Sequence, residues 1–215
     1  MNPFTIALPA GRLAEESMAF FRECGLADFQ FTGGRELSLC DTTGTYRVIF
    51  VRSQDVPTYV IQGGADAGIT GRDVLAERGY DLVVPADLPF GYCRLSIACS
   101  ESLVATLYQK KHLRIATKYP RLAADFFFKK GMSCEIIKLH GSIEIAPILN
   151  LSDCIVDLVS TGQTLLANGL KEIDVILESR AVLVTNRSVY ARETKLIRNM
   201  LMAFKNTIRA RQESH

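Results

Sequence analysis

The sequence predicts an α/β protein folded as two lobes, and three observations carry that expectation. Short apolar runs of strand length alternate with longer stretches of helical period, as when strands are interleaved with helices. The segment Asp87-Leu88-Pro89-Phe90-Gly91-Tyr92 sets Pro and Gly between two apolar runs, where a chain can cross from one lobe to another. The 215 residues, 48% of them hydrophobic, suffice for one large domain or two small ones. Residues 1–88 and 171–215 are expected in the first lobe and residues 89–170 in the second, with a return crossing near 169–174.

Taken in order, the apolar runs place strands at 5–8, 36–40, 47–51, 67–69, 82–85, 95–99, 113–117, 134–138, 154–159 and 181–185. Helical period places helices at 14–24, 57–62, 121–130, 164–168 and 190–211. In the last of these, Ile197, Leu201, Phe204 and Ile208 recur at helical spacing, while Lys195, Arg198, Lys205 and Arg209 fall elsewhere. That basic face reads as solvated, with a docking surface for a partner protein as the alternative. No internal repeat or low-complexity tract occurs.

Charge and cysteine usage exclude several classes. Net charge is +2, from 25 basic and 23 acidic residues spread along the chain, so neither nucleic acid nor an anionic membrane is expected as partner. No run of about 18 apolar residues could span a bilayer, and the N-terminus lacks the basic start and apolar stretch of a signal peptide. The six cysteines, at 24, 40, 93, 99, 134 and 154, form no C-x-x-C pair, and no histidine stands at metal-ligand spacing. Most lie in apolar runs, which predicts buried free thiols in a reducing cytoplasm.

The segment 153–169 carries the first chemistry. Asp153-Cys154-Ile155-Val156-Asp157-Leu158-Val159 reads as a buried strand ending near a carboxylate. Ser160-Thr161-Gly162-Gln163-Thr164 follows, then a short helix closed by Gly169. A small polar loop entering a helix is an anion cradle: free backbone N–H groups point outward and the dipole favours negative charge. Ser160, Thr161 and Thr164 add hydroxyls, and Gly162 lets the backbone approach a phosphate. A carboxylate beside a phosphate cradle repels the phosphate, so Asp157 needs another task, and two vicinal ribose hydroxyls supply one. The segment therefore reads as a grip for ribose 5-phosphate. An ordinary capped helix start is the plain alternative. There is no G-x-x-x-x-G-K-[ST] Walker loop and no G-x-G-x-x-G dinucleotide fingerprint.

Six further segments now fit one family. They are Ala7-Leu8-Pro9-Ala10-Gly11-Arg12-Leu13, Gly34-Arg35-Glu36-Leu37, and Arg52-Ser53-Gln54-Asp55-Val56-Pro57. Then come Gly64-Ala65-Asp66-Ala67-Gly68-Ile69-Thr70-Gly71-Arg72-Asp73, Arg114-Ile115-Ala116-Thr117-Lys118-Tyr119-Pro120, and Gly141-Ser142-Ile143-Glu144-Ile145-Ala146-Pro147. In this order, and with the segment 157–164, the chain resembles the ATP phosphoribosyltransferases of histidine biosynthesis over nearly its whole length.

The resemblance implies a two-lobe fold of the type II periplasmic-binding-protein kind, with the active site in the interlobe cleft. It implies transfer of phosphoribosyl from phosphoribosyl pyrophosphate to N1 of the ATP adenine. The chain stops one helix after 181–186, which is expected of the short form. That form works with a regulatory subunit resembling a histidyl-tRNA synthetase, in a hetero-octamer built on catalytic dimers. Mg2+ is the implied cofactor, arriving on pyrophosphate, with no metal ligand expected from the protein.

By the same resemblance Asp157 meets the ribose hydroxyls, and Ser160, Thr161, Gly162, Gln163 and Thr164 meet the 5-phosphate. Glu144 reads either as support for the ribose or loop, or as a helix-start residue. Arg12 and Arg35 are expected on pyrophosphate and Arg52 on nucleotide or pyrophosphate, since the guanidinium fork suits polyphosphate. Gly11, Asp66, Thr70, Gly71 and Asp73 are expected to shape the cleft wall or hold nucleotide hydroxyls, with a helix cap as the other reading of Asp73. Two positions depart from many relatives: Ala10 stands where Lys is common, and Gln163 where a basic residue is frequent. His140, just before Gly141 at a turn, reads as structural or solvated, with a reach into the cleft as the alternative, and no histidine is needed as a base.

Overall fold

A computed structural model describes residues 2–30, 36–192 and 194–213 of the chain. The expected strand at 36–40 lies within them, whereas Gly34 and Arg35 lie outside. The first elements are β1 (Phe4–Pro9), α1 (Arg12–Glu23), β2 (Ser38–Cys40), β3 (Tyr46–Val51), α2 (Val56–Ile61), β4 (Ala67–Gly71), α3 (Arg72–Arg78) and β5 (Val83–Asp87). Next are β6 (Cys93–Ser100), β7 (Leu113–Thr117), α4 (Pro120–Lys129), β8 (Cys134–Lys138), α5 (Ile145–Ile148), β9 (Cys154–Val159) and α6 (Gln163–Ala167). Last are β10 (Leu170–Ser179), β11 (Ala181–Thr185), α7 (Arg187–Arg192) and α8 (Thr194–Glu213). They form two compact units, Met1–Leu75 with Gly79–Gly91 and Arg180–His215, and Ala76–Arg78 with Tyr92–Ser179.

The first unit is built on a six-stranded sheet ordered β2-β3-β1-β4-β11-β5. β1 is parallel to β3 and β4, with Pro9 opposite Val51 and Ile6 opposite Ala67. Ile6, Ala7 and Leu8 are all buried, the continuous apolar run expected of a strand covered on both faces. On one face α1 buries Ala14, Met18, Phe20 and Phe21, a spacing that keeps them on one helical stripe. Phe204 of α8 meets Phe20 at 5.0 Å and Phe21 at 5.4 Å between ring centroids, and Ile197 and Met200 join the same core. Aromatic pairs of this kind add about 0.5–1.5 kcal/mol each beyond their buried area. Val56 and Val60 of α2 pack with Ala7, Val182 and Val184 in a second core cluster of the same unit.

The second unit holds a five-stranded sheet ordered β10-β6-β9-β7-β8. β7, β8 and β9 are parallel, while β6 runs antiparallel to β9. Ile115, Val156, Ile97 and Phe127 form its main core, and Ile143, Ile155, Val159 and Leu165 a second cluster. α4 begins with Pro120 in its first turn, where the missing N–H is no loss. Glu77 caps this helix, accepting from the Arg121 and Leu122 N–H groups at 2.9 Å each.

Two features differ from the sequence reading. Residues 170–179 form β10, which pairs with β6 as an edge strand, so the chain stays in the second unit through Ser179 instead of returning near 169–174. The expected helix at 190–211 is two helical segments, α7 and α8, with residue 193 outside the described set. All six cysteines are free thiols; Cys99 and Cys154 are buried, but Cys40, on the short edge strand β2, is exposed. Among the described residues no helix is long and apolar enough to cross a membrane.

Candidate active site

In the second unit the parallel strands β7 and β9 end side by side, because Thr117 lies opposite Val156. Lys118 follows one strand and the loop 160–162 the other. The Thr117 hydroxyl donates to the Val156 carbonyl at 2.7 Å and accepts from the Tyr119 N–H at 2.8 Å, which fixes the turn carrying Lys118. Carboxyl ends of strands are where open α/β sheets place ligands.

Asp157 projects from β9 at this end with a side chain 14% exposed. Lys118 Nζ stands 3.6 Å from its Oδ2. Burial pushes the Asp157 carboxyl above its ordinary range, against the pull of Lys118 and with a further push from the charge of Glu144. Glu144 itself occupies the N-cap position of α5, with no side-chain capping bond among the described residues. It thus stands both at a helix start and within electrostatic reach of Asp157.

The loop after β9 is open. Ser160, Thr161, Gln163 and Thr164 are all exposed. Gly162 takes φ 80° and ψ 0° as the N-cap of α6, a left-handed conformation that L side chains avoid. The Thr161 hydroxyl accepts from the Gln163 N–H at 3.5 Å. Arg94 Nη1 donates to the Ser160 carbonyl oxygen at 3.3 Å. Arg94 also grips Glu172 through Nε and Nη2, each at 2.5 Å, and Ser96 Oγ donates to Glu172 Oε1 at 2.7 Å.

In the first unit the corresponding end gathers Gly11, Arg12, Arg52, Thr70 and Gly71. The register of β1 with β3 and β4 brings the residues after Pro9, Val51 and Ile69 to one edge, and the Ala10 N–H bonds the Val51 carbonyl at 2.9 Å. Arg12 opens α1, exposed, 3.6 Å from Glu16. Arg52 is exposed. The Thr70 side chain is wholly buried, and its hydroxyl has no hydrogen-bond partner among the described residues. A methyl group on Gly71 would lie 2.1 Å from Asp73 Oδ1, so a larger residue there would push that carboxylate aside. Asp73 is buried in the first turn of α3, where a negative charge complements the helix dipole. That placement favours its helix-start reading. A hollow of ≈ 170 Å³ beside Gly11 is lined by Ala10, Ala14, Glu36 and Phe50. Larger hollows of ≈ 420 and ≈ 520 Å³ lie along α8, bounded by Leu201 and Lys205.

Asp66 does not join this group, which corrects the sequence expectation. It precedes β4 at the amino end, and its Oδ2 accepts from the Thr5 N–H at 2.8 Å. Strand β4 separates it from Gly71, so its carboxylate fastens the start of β1. Arg35 lies outside the described residues. His140 is exposed. Sequence reasoning passes over two cations, Lys118 and Arg94. Lys118 directly follows a strand within one of the family-like segments, which is a usable signal; the bond from Arg94 to Ser160, 66 positions apart, has none.

Residues 52–206 match the family model described as ATP phosphoribosyltransferase. A curated relative of that name from Leptospira biflexa serovar Patoc is 50% identical over 204 residues, covering 94% of this chain and 99% of the relative. Another, from Caldanaerobacter subterraneus subsp. tengcongensis, is 40% identical over 209 residues, covering 97% of this chain and 99% of the relative. A chain from the solved ATP phosphoribosyl transferase (HisG:HisZ) complex of Thermotoga maritima superposes with a TM-score of 0.80 at 32% sequence identity, covering 96% of this chain and 99% of that one.

Proposed function

The chain belongs to the ATP phosphoribosyltransferase family, and on that premise we propose which of its residues serve each substrate. As a family member it is a transferase, joining phosphoribosyl to ATP in the first step of histidine biosynthesis. The observation that carries the site assignment is Asp157, a carboxylate 14% exposed at a strand's carboxyl end, shortly before a glycine-opened loop. It retains acceptor sites beyond Lys118, and a carboxylate can take both vicinal hydroxyls of a ribose. The 5-phosphate is assigned to Ser160, Thr161, Gly162, Gln163 and Thr164, which lie in an open loop at a helix start rich in hydroxyls and backbone N–H groups. Glu144, at the start of α5, is assigned to the ribose or the loop, and its charge raises the Asp157 carboxyl.

Arg12 and Arg52 are assigned to polyphosphate, as is Arg35, and Gly11, Thr70 and Gly71 to the ATP wall, with Asp73 holding the start of α3. Thr70, wholly buried, shapes that wall from within the fold. The adenine N1 lone pair attacks C1 of the ribose, and the electrons of the C1–O bond leave with pyrophosphate. N1 carries no proton, so no general base is required; the residues here orient the reactants and neutralise the leaving group. Among the described residues no group of three or more His, Cys, Asp or Glu side chains is placed to hold a metal ion. Magnesium, a hard cation that keeps phosphate and water oxygens as ligands, is assigned to pyrophosphate, whose charge it would offset.

The short form, acting with a synthetase-like regulatory subunit in a hetero-octamer, is the assembly we propose. The Thermotoga maritima structure, a HisG:HisZ complex, supports it, as does alignment over 99% of the Leptospira relative. Free thiols and a biosynthetic role favour the cytoplasm. The test is incubation with ATP, phosphoribosyl pyrophosphate and magnesium, with and without the regulatory subunit. Absorbance of the N1-ribosylated adenine should rise with pyrophosphate release; absence of both under either condition overturns the reading.

A further inference from the structure

We propose that Arg94 is a positioning residue of the phosphate loop, acting through the peptide plane between Ser160 and Thr161. This rests on the reading of 160–164 as the 5-phosphate site. Arg94 Nη1 reaches the Ser160 carbonyl oxygen at 3.3 Å. A trans peptide is flat, with its C=O and the following N–H on opposite sides. Drawing the Ser160 carbonyl toward Arg94 therefore aims the Thr161 N–H the other way, as a donor. A carbonyl bound to a cation also polarises its own amide, so that N–H donates more strongly.

The guanidinium is itself fixed. Its fork closes on both Glu172 oxygens at 2.5 Å, and Ser96 holds Glu172 Oε1 at 2.7 Å. The bonds shift both groups toward their charged forms, raising Arg94 and lowering Glu172. Because the pair is neutral in sum, it gives the loop orientation more than charge. Ser96 lies opposite Asp157 in the β6–β9 register, so one stretch of β6 backs both the ribose carboxylate and the phosphate loop. Glu172 comes from β10, a strand whose sequence reads as a crossing. A lysine cannot replace this arrangement, since a single ammonium lacks the planar fork that spans a carboxylate and a carbonyl at once.

The test compares Arg94→Met, Arg94→Lys and the double variant Arg94→Met/Glu172→Gln, with Asp157→Asn alongside, in initial-rate kinetics and thermal unfolding. In all three Arg94 variants the KM for phosphoribosyl pyrophosphate should rise about tenfold, the factor for one charge-assisted hydrogen bond. The KM for ATP should stay unchanged, and the double variant, which leaves no unpaired carboxylate, should unfold near the wild-type temperature. Recovery in Arg94→Lys would show that charge suffices and would overturn the proposal. Recovery in the double variant would trace the loss to an uncompensated Glu172 and would overturn it as well. An equal rise in both KM values means general damage and also overturns it. If Asp157→Asn leaves the phosphoribosyl pyrophosphate KM untouched, the loop reading itself fails. If Asp157→Asn raises it and the Arg94 variants do not, only the positioning role falls.

Discussion

Asp153 and Asp157 stand at opposite ends of β9 and are used in opposite ways. At the amino end Asp153 accepts from Lys110 Nζ at 2.8 Å, from the Arg114 N–H at 2.8 Å and from Arg114 Nη2 at 3.4 Å. Burial pushes its carboxyl up, but those donors outweigh the push and hold it below its ordinary range. At the carboxyl end Asp157 has Lys118 at 3.6 Å, and burial wins: its carboxyl sits above the ordinary range. The first unit repeats the contrast along β4. Asp66 is bonded to Thr5 before the strand begins, while the Thr70 hydroxyl near its end is buried without a partner among the described residues. Polar groups at these amino ends are satisfied by the fold; those at the carboxyl ends are left with capacity for something else.

The sharpest way to break the comparison is Asp157→Asn. Losing the charge that accepts two ribose hydroxyls should weaken phosphoribosyl pyrophosphate binding about a hundredfold, from roughly 1.5 kcal/mol per charged hydrogen bond, as read by titration calorimetry. ATP binding should hold, and the thermal midpoint should not fall, because a poorly compensated buried charge has been removed. Asp153→Asn should do the reverse. Breaking its network should cost about 2 kcal/mol in denaturant unfolding, below the fully buried range because Lys110 and Arg114 are partly exposed. Both KM values of the folded variant should match wild type. Thr70→Val should stabilise by about 1 kcal/mol, since it removes a buried hydroxyl with no partner among the described residues; a loss of stability would mean that the hydroxyl is satisfied.

The smallest effect is in pH dependence. The Asp157 carboxyl is raised, so the KM for phosphoribosyl pyrophosphate should climb as pH falls, beginning at a higher pH than an ordinary carboxylate would give. Lys118 lowers that carboxyl and Glu144 raises it, so Lys118→Met should move the onset up and Glu144→Gln should move it down. Stability follows the opposite sense at the two ends. The Asp153 contribution is full above its unfolded-state value and is lost as pH falls through the depressed folded value. Ionising Asp157 works against folding as pH rises from the unfolded value through the raised folded one. Coincident unfolding profiles for Asp153→Asn and Asp157→Asn across pH would erase the distinction.

Much of this is legible in the chain. The run 154–159 is largely apolar, carries a carboxylate near its end and is followed by small polar residues, so strand, loop and helix start are all encoded locally. β10 is not legible. Its Lys171, Glu172, Asp174 and Glu178 look like a loop, and register shifts after Glu172 and Val175 break the period-two signal. Charged residues and bulges are what an edge strand uses against stray pairing, so the features that hide it are features of its position. Asp66 misleads for a different reason. It shares a segment with Thr70 and Gly71, but an extended strand covers about 3.3 Å per residue, and proximity in sequence becomes distance in space. Lys118 and Arg94 acquire their roles from neighbouring strands, which no local pattern records.

Gly162 has room around it: among the described residues, a methyl group there would meet only Val159 Cγ1, at 3.8 Å. The restriction at this position is therefore one of handedness and not of size. D-alanine, introduced by chemical ligation, would keep the loop's shape, whereas L-alanine, of identical volume, would strain it by about 1–2 kcal/mol. The phosphate turn thus discriminates between mirror images of the same side chain, and an all-L genetic code leaves glycine as its least strained choice.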